Sequence, residues 1–317
     1  MTRKPAADGV RAAAESIAQI LQPTPLLPVE IGGVRCWVKA ESLQPIGAFK
    51  IRGGWWRLSN LTEDERARGV VAVSSGNHAQ GVAWAAKKLG IDATIVMPRD
   101  APKVKLEATR ALGAEIVLYE RPGEDREEVA SREVEARGAV FVHAFNDAWV
   151  IEGQGSAGIE IAQQLGKQPP LILVCCGGGG LTAGLSLACP ESTIAPVEPA
   201  GWDMVARGIT AGSPQRVGPD APPTICDALR PDATGQIVID TLSRERTRPL
   251  TVDDAEVRAA QRFAFAKLGL VAEPGGAAAL AAALAGKLAL PADTVIMLTG
   301  RNVDPTAFAA TIAPGAA

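Results

Sequence analysis

The chain has 317 residues, with 32 Lys and Arg against 35 Asp and Glu, and its formal net charge at pH 7 is −3. This length suits one large α/β domain or two smaller ones, and we expect two. Because neither sign of charge forms a long block, nucleic acid and membrane surfaces are not expected as partners.

The start of the chain and its cysteines indicate the compartment. The first residues lack the apolar core of a secretory signal, and no uninterrupted apolar stretch is long enough to span a bilayer. The five cysteines are odd in number and show no Cys-x-x-Cys spacing, which disfavours a disulfide framework and a zinc site. We therefore expect a cytoplasmic protein with buried free thiols.

Short apolar runs alternate with helical patterns along the chain. Four runs have the composition of strands buried on both faces, at residues 70–73, 93–96, 171–174 and 294–298. Helices are predicted at 77–89, which Gly90 closes, and at 253–268, which begins with an acidic turn. Residues 213–240 are rich in Pro, Gly and Asp and are predicted to run over the surface. The alternation predicts an α/β fold with parallel sheets.

One lysine lies in a mostly apolar segment near the start of the chain. Lys50 follows Ile46, Ala48 and Phe49 and precedes Ile51. Partial desolvation lowers the pKa of a lysine towards the neutral amine that Schiff-base chemistry requires. Taken alone, Lys50 is better explained as a surface residue whose stem is buried.

Four consecutive glycines, residues 177–180, separate the strand-like run at 171–176 from an apolar helical pattern that begins at Leu181. Such a turn directs backbone N–H groups at an anion, and the helix dipole adds favourable potential, so phosphate is the expected ligand. A tight turn packed under a helix is the alternative. The spacing differs from Gly-x-Gly-x-x-Gly, which weakens a dinucleotide interpretation, although Glu198, about twenty residues further on, could mimic the ribose-binding acid.

Polar residues follow two other predicted strands. Residues 74–78 (Ser-Ser-Gly-Asn-His) open a helix, where hydroxyls and free N–H groups suit a carboxylate, although an ordinary N-cap explains this segment better when it is taken alone. Thr299 follows the strand at 294–298 and could be part of a simple turn. Together with Lys50, the glycines and residues 273–276 (Glu-Pro-Gly-Gly), these segments can hold pyridoxal phosphate at its aldehyde, phosphate, hydroxyl and ring nitrogen.

The order and spacing of these motifs resemble those of the fold type II pyridoxal phosphate enzymes, in the serine/threonine dehydratase and serine racemase branch, over residues 23–304. The resemblance implies two open, twisted parallel-sheet domains of the tryptophan synthase β-like type. It implies a large cofactor-binding domain at 1–59 and 147–317, a small inserted domain at 60–146, and substrate bound between them. A homodimer is also implied.

The same resemblance implies roles for individual residues. Lys50 would bind the cofactor aldehyde, Phe49 would pack near the ring, Asn77 would bond the ring hydroxyl, and Thr299 would face the pyridine nitrogen. The phosphate would lie at Gly177, Gly178, Gly179 and Gly180. The substrate would be held by Ser74, Ser75, Gly76, Asn77 and His78.

A cation site is not predicted. Relatives that bind magnesium or calcium use a glutamate and a later aspartate in the segment that corresponds to residues 198–204. Met204 stands at the second carboxylate position, whereas hard cations require several oxygen ligands.

The implied reaction is elimination of water from a 3-hydroxy amino acid, which gives a 2-oxo acid and ammonia, with Lys50 as the base that removes the α-proton. Serine, threonine, 3-hydroxyaspartate and phenylserine are all candidate substrates. Ser75 keeps racemisation open, because racemase relatives use a serine here as the acid/base on the opposite face. Arg126 is interpreted as part of a solvated helix face, with contact to an acidic substrate group as the alternative.

Other functions fit less well. A β-replacement enzyme of the cysteine synthase type usually has threonine where His78 stands. A nicotinamide oxidoreductase would use the glycines but leave Lys50 without a role. The allosteric biosynthetic dehydratases carry an extra C-terminal domain, for which the sequence leaves no room after Asp304.

Overall fold

The structure is a computed structural model that describes residues 3–101, 103–121, 123–218, 220–242 and 244–313. Its strands form two sheets, one of six strands and one of four. Helices cover both sheets, and the predicted α/β class with two parallel-sheet units is confirmed.

The larger sheet brings together both ends of the chain. Its strands are β1 (Leu26–Ile31), β2 (Val34–Lys39), β7 (Leu171–Cys175), β8 (Thr193–Pro199), β9 (Leu250–Val252) and β10 (Thr294–Met297). The spatial order is β1-β2-β10-β7-β8-β9. β1 and β2 pair antiparallel, with Leu26 opposite Lys39, and the other neighbours are parallel. Because β10 lies between β2 and β7, the segments after β10 and after β7 meet at one sheet edge.

The smaller sheet is entirely parallel. Its strands are β3 (Val70–Val73), β4 (Ala93–Pro98), β5 (Glu115–Tyr119) and β6 (Val140–Phe141), in the order β5-β4-β3-β6. These strands lie within the predicted inserted segment, but the boundaries at residues 60 and 146 remain a prediction.

Thirteen α-helices lie in the described residues. They are α1 (Ala7–Ala18), α2 (Lys50–Ser59), α3 (Glu63–Arg68), α4 (Asn77–Leu89), α5 (Lys103–Ala111), α6 (Arg126–Arg137), α7 (Ala148–Leu165), α8 (Gly180–Ala188), α9 (Met204–Ala211), α10 (Gln236–Thr241), α11 (Asp254–Leu268), α12 (Pro274–Leu284) and α13 (Pro305–Ile312). Short 3₁₀ turns occur at Glu41–Leu43 and Asp227–Leu229. The helix predicted at 77–89 has the predicted bounds. Within the described ranges, none of these helices has the length and apolar character needed to cross a membrane.

Helices α2 and α4 pack backbone against backbone. A Cβ atom at Gly54 would lie 2.6 Å from the carbonyl oxygen of Gly81, and one at Gly81 would lie 2.8 Å from that of Lys50. Such distances are below any ordinary contact, so only glycine allows the two helices to approach this closely. The approach places Lys50, at the start of α2, next to α4.

A buried network of charges anchors α2. The guanidinium of Arg52 is fully buried and bonds Glu41 at 2.7 and 2.8 Å, and Glu160 at 2.8 Å through two nitrogens. Lys39 also donates to Glu160, at 2.7 Å. Burial acts to raise the pKa of Glu41, but Arg52 outweighs it and holds that pKa well below its usual range. The network ties β2, the first 3₁₀ turn, α2 and α7 together.

Replacing Arg52 by Met should lower the free energy of unfolding by about 3–5 kcal/mol, because two buried carboxylates lose their shared cation. Chemical denaturation followed by circular dichroism measures this loss. The matched control is Arg137→Met, which removes a surface arginine paired with Glu115 and Glu133. The control should cost less than about 1 kcal/mol. Equal losses in the two variants would contradict the structural role of the network.

Candidate active site

One cleft of about 480 Å³ collects the residues that the sequence singled out. It lies where the segments after β3, β7 and β10 converge. The predicted residues that line it are Phe49, Lys50, Ser74, Ser75, Gly76, Asn77, His78, Gly177, Gly178, Gly179, Gly180 and Thr299. The structure therefore brings every predicted site residue to one place, while their individual roles remain proposals.

Lys50 begins α2 and extends into this cleft. Its Nζ atom donates to the carbonyl oxygen of Ala144 at 2.8 Å. Burial lowers the pKa of the Lys50 amine to about 8, and no carboxylate among the described residues forms an ion pair with it. The partly buried amine, bonded to a carbonyl oxygen inside the cleft, favours a reactive role for Lys50 over that of an ordinary surface lysine.

The segment before Lys50 is bonded to the segment after β10. The backbone N–H of Phe49 donates to Thr299 at 3.1 Å, and that of Arg301 donates to Gly47 at 2.8 Å. The Asn302 amide also donates to the Ile46 carbonyl at 2.9 Å. These bonds hold the Lys50 segment against the end of β10, although the two segments are far apart in sequence.

Close packing explains the glycines that connect β7 to α8. Gly179 has a φ of +86°, a conformation that favours glycine. A Cβ atom at Gly178 would overlap the ring of Phe145, and one at Gly180 would lie 2.9 Å from the Phe145 Cβ atom. Phe145 thus packs directly against the loop, a contact that nothing in the local sequence indicated.

The first turn of α8 offers unpaired donors. Between Cys176 and Ala183, no backbone N–H in the described part of the chain donates to a backbone oxygen. The Ala183 N–H donates to the Gly179 carbonyl at 2.9 Å. The Thr182 hydroxyl is buried and has no hydrogen-bond partner among the described residues. Together with the helix dipole, these groups fit a phosphate. Sequence reasoning missed Thr182; its position three residues into a helix that follows a glycine loop was the available signal.

A second set of free donors lies at the start of α4. The Gly76 N–H donates to the Ser74 hydroxyl at 3.1 Å, and the next N–H with a partner in the described ranges is that of Gln80, bonded to Gly76 at 3.3 Å. The N–H groups of Asn77 and His78 are therefore available to a ligand. A helix start that lacks internal acceptors suits a carboxylate.

Two histidines beside Lys50 are neutral. The His78 ring bonds the Val142 carbonyl through Nε2 at 2.9 Å, so that nitrogen carries the proton. Burial, followed by the charge of Lys50, lowers the pKa of His78 to about 3. Burial also lowers the pKa of His143 to about 4, and its Nδ1 accepts from the Asn146 N–H at 2.9 Å. Neither ring supplies a positive charge to the cleft near pH 7.

At the far end of the cleft, a hydroxyl and a thiol lie next to each other. Thr299 is 4 % exposed, and its backbone N–H donates to Gly276 at 3.1 Å. Cys175 lines the cleft beside it, and burial raises the pKa of that thiol to about 11. A hydroxyl and a neutral thiol can bond a ring nitrogen there without supplying charge.

The mouth of the cleft contains charged residues that the sequence did not place there. Arg126 pairs with Asp232 at 2.6 Å, and Lys105 pairs with Asp227 at 2.6 Å. All four residues line the cleft. The two aspartates belong to the stretch at 213–240, which was expected to run over the surface. Much of that stretch is exposed, as expected, but part of it lines the site, and it contributes α10, whose Val238 is fully buried.

The segment considered for a cation has a different use in the structure. The Glu198 carboxylate accepts from the backbone N–H groups of Val205 and Ala206 at 2.9 and 3.0 Å, at the start of α9. Met204 is fully buried beside them. No cluster of three or more potential metal ligands of the His, Cys, Asp and Glu types occurs in the described ranges.

Comparison with known proteins gives a consistent result. The sequence profile of the family described as pyridoxal-phosphate dependent enzymes matches residues 17–300. L-threonine ammonia-lyase of Thermotoga maritima is 39% identical, over 87% of this chain and 69% of its own. Serine racemase of Schizosaccharomyces pombe is 35% identical over 96% of both chains. L-threo-3-hydroxyaspartate ammonia-lyase of Pseudomonas sp is 38% identical, over 87% of this chain and 88% of its own.

A solved structure agrees with this result. Serine racemase of maize superposes with a TM-score of 0.90 at 34% identity, and the match covers 96% of each chain.

The cleft fits the cofactor of this family. A buried amine of lowered pKa suits the aldehyde, and the glycine loop with the orphan Thr182 hydroxyl suits the phosphate. The neutral end at Thr299 suits a pyridine nitrogen. The profile match and the relatives together show that this chain belongs to the pyridoxal-phosphate dependent enzymes of fold type II.

Proposed function

We propose that this protein is an ammonia-lyase that eliminates water from a 3-hydroxy amino acid and releases a 2-oxo acid and ammonia. The observation that carries this proposal is the position of Lys50, a partly buried amine of lowered pKa that shares one cleft with the glycine loop and the start of α4. The relatives named L-threonine ammonia-lyase and L-threo-3-hydroxyaspartate ammonia-lyase support this reaction class.

The residues that would hold the cofactor follow from the cleft. Lys50 would bind the aldehyde, the glycine loop and the first turn of α8 the phosphate, Asn77 the ring hydroxyl, and Thr299 the ring nitrogen. Phe49, which also lines the cleft, would pack near the ring. A hydroxyl cannot keep a ring nitrogen protonated as a carboxylate would, and this favours prompt loss of the β-substituent over a long-lived carbanion.

Lys50 is the group that moves the α-proton. When bound, pyridoxal phosphate withdraws electrons from the substrate Cα and makes its proton acidic. The free Lys50 amine would act as the base at Cα, and its lowered pKa leaves a useful neutral fraction near pH 7. The Ala144 carbonyl, 2.8 Å away, orients Nζ. The N–H groups of Asn77 and His78 hold the substrate carboxylate and so fix which Cα substituent faces Lys50.

The mouth of the cleft favours an uncharged substrate side chain. Arg126 could bind a second substrate carboxylate, but Asp232 already pairs with it at 2.6 Å. An acidic substrate would have to displace Asp232 and leave it unpaired. We therefore rank serine and threonine ahead of 3-hydroxyaspartate as substrates.

Racemisation is a second candidate activity. Ser75 lines the same cleft as Lys50, and serine racemase of Schizosaccharomyces pombe matches nearly the whole chain. Two acid/base groups on opposite faces of Cα allow a proton to leave from one side and return from the other. In this chain, Ser75 is proposed as the base opposite Lys50.

The assembly and compartment are also proposals. We infer a homodimer from the family resemblance, and light scattering on the purified protein tests it. All five cysteines are buried and free, which supports a reducing compartment such as the cytoplasm.

A substrate panel tests the main proposal. Tested on L-serine, L-threonine, L-threo-3-hydroxyaspartate and phenylserine, the cofactor-loaded enzyme should release 2-oxo acid from L-serine or L-threonine faster than from L-threo-3-hydroxyaspartate. Lys50→Ala should lose at least about 10³-fold in rate, because both the cofactor linkage and the base disappear. Lys87→Ala, which changes an exposed lysine of α4, is the control and should retain activity. Substantial turnover by the Lys50 variant would refute the mechanism, and no release from any compound would point to racemisation or β-replacement.

Ser75→Ala separates the two activities. The variant should interconvert L- and D-serine no faster than background, since the second base is missing, while its elimination rate on an L-substrate changes by less than about threefold. Chiral chromatography of the remaining substrate and an assay for 2-oxo acid measure both rates in one sample. Racemisation that survives in the variant would exclude Ser75 as the second base.

The lowered pKa of Lys50 predicts how cofactor capture depends on pH. Burial disfavours the ammonium form, so the neutral amine that attacks the aldehyde increases as pH rises through about 8. With an ordinary lysine pKa the neutral fraction at pH 7 would be about one in 3,000, against about one in ten here. The rate at which apoenzyme captures pyridoxal phosphate should therefore level off above pH 9. A rate that still rises tenfold per pH unit above pH 9 would contradict this.

A further inference from the structure

A chain of hydrogen bonds fixes the amide of Asn77. The Asn302 amide donates to the Ile46 carbonyl at 2.9 Å and to Asn77 Oδ1 at 2.7 Å. Asn77 Nδ2 in turn donates to Glu273 Oε1 at 2.5 Å. Because a backbone carbonyl can only accept, the orientation of Asn302 is set, and that of Asn77 follows from it. One N–H of Asn77 then remains for a ligand in the cleft.

The side chains of this hydrogen-bonded chain are closely packed against neighbouring glycines. A Cβ atom at Gly47 would lie 2.5 Å from Asn302 Oδ1, and one at Gly300 would overlap Glu273 Oε1. Glu273 is 4 % exposed, and its backbone N–H donates to the Gly300 carbonyl at 3.0 Å. Its carboxyl therefore has a fixed place between Asn77 and the segment after β10.

We propose that Glu273 is a positioning residue, which holds Asn77 against the ring hydroxyl of the cofactor and strengthens that hold when its carboxyl becomes ionised. This inference rests on the proposed role of Asn77. An ionised carboxylate accepts a shorter and stronger hydrogen bond than a neutral acid does. Asn77 is consequently more firmly oriented when Glu273 carries its charge, and the cofactor is bound more tightly.

The charge state of Glu273 changes within the working range of pH. Burial raises the pKa of Glu273 to about 7, against the opposing effect of the Asn77 hydrogen bond. The other charged groups that face it are Asp227, which raises this pKa, and Lys105, which lowers it. The carboxyl is neutral below pH 7 and ionised above, so the tighter hold is present at high pH and lost as pH falls.

A cofactor analogue without an aldehyde tests the role of Glu273 separately from that of Lys50, because it cannot form a Schiff base with the Lys50 amine. 4-Deoxypyridoxine 5′-phosphate keeps the ring hydroxyl and the phosphate, and its binding to full-length apoenzyme can be followed by calorimetry from pH 6 to 8.5. As the pH rises through 7, the affinity of the wild type for the analogue should increase about fivefold more than that of the Glu273→Gln variant. The glutamine imitates the neutral acid, so the variant should match the wild type at pH 6. Titration of the analogue phosphate is common to both proteins and cancels in the comparison.

Two neighbouring charges give an independent check. The pH at which the affinity for the analogue rises should be lower in Asp227→Asn and higher in Lys105→Met, because each substitution removes one of the charges that act on Glu273. The same pH-dependent change in affinity in Glu273→Gln as in the wild type would overturn the inference. Asn77→Ala should weaken binding at every pH and abolish that change. If the Asn77→Ala variant binds the analogue like the wild type, the proposed role of Asn77 fails and the inference fails with it. If that variant binds more weakly but Glu273→Gln keeps the same pH-dependent change in affinity as the wild type, the inference alone is refuted.

Discussion

Backbone hydrogen bonds between residues 46–49 and 299–302 set the geometry on which the site depends. They join the segment that carries Lys50 to the end of β10, where Thr299 lies, so the positions for the aldehyde and the ring nitrogen are fixed relative to each other. A rigid aromatic cofactor requires such a fixed distance. The spatial order of the larger sheet makes the junction possible, because β10 lies between β2 and β7 and delivers its end beside the glycine loop.

Two cationic residues on α2, Arg52 and Lys50, differ in the groups that surround them, and this difference determines how firmly each holds its proton. Arg52 keeps its charge because Glu41 and Glu160 surround it with charge-assisted bonds. Lys50, two positions earlier, has a carbonyl oxygen as its partner and no opposing carboxylate within the described ranges, so burial lowers its pKa to about 8. The same helix thus carries a permanent structural charge and a reactive amine.

The sequence predicted those features that short-range patterns determine. The strand at 70–73, the helix at 77–89 and the glycine loop follow from apolar periodicity and local turn chemistry. The antiparallel β1–β2 pair, helix α10 and the packing of Phe145 against the loop were missed. The bond between Asn77 and Glu273 spans 196 positions, and no local pattern encodes such a contact. The stretch at 213–240 runs largely over the surface as predicted, but Pro and Gly obscure the short apolar run that α10 buries.

The two ends of the cleft differ in what a substitution would cost. At the cofactor end, buried bonds and glycines without room for a side chain make almost any change destabilising. At the mouth, the Arg126–Asp232 pair is partly exposed, and such pairs contribute little to stability. Side-chain specificity can therefore change at the mouth while the reaction centre is retained. Of the two residues in this pair, Asp232 is the one that would oppose an acidic substrate side chain, because it already occupies Arg126 at 2.6 Å.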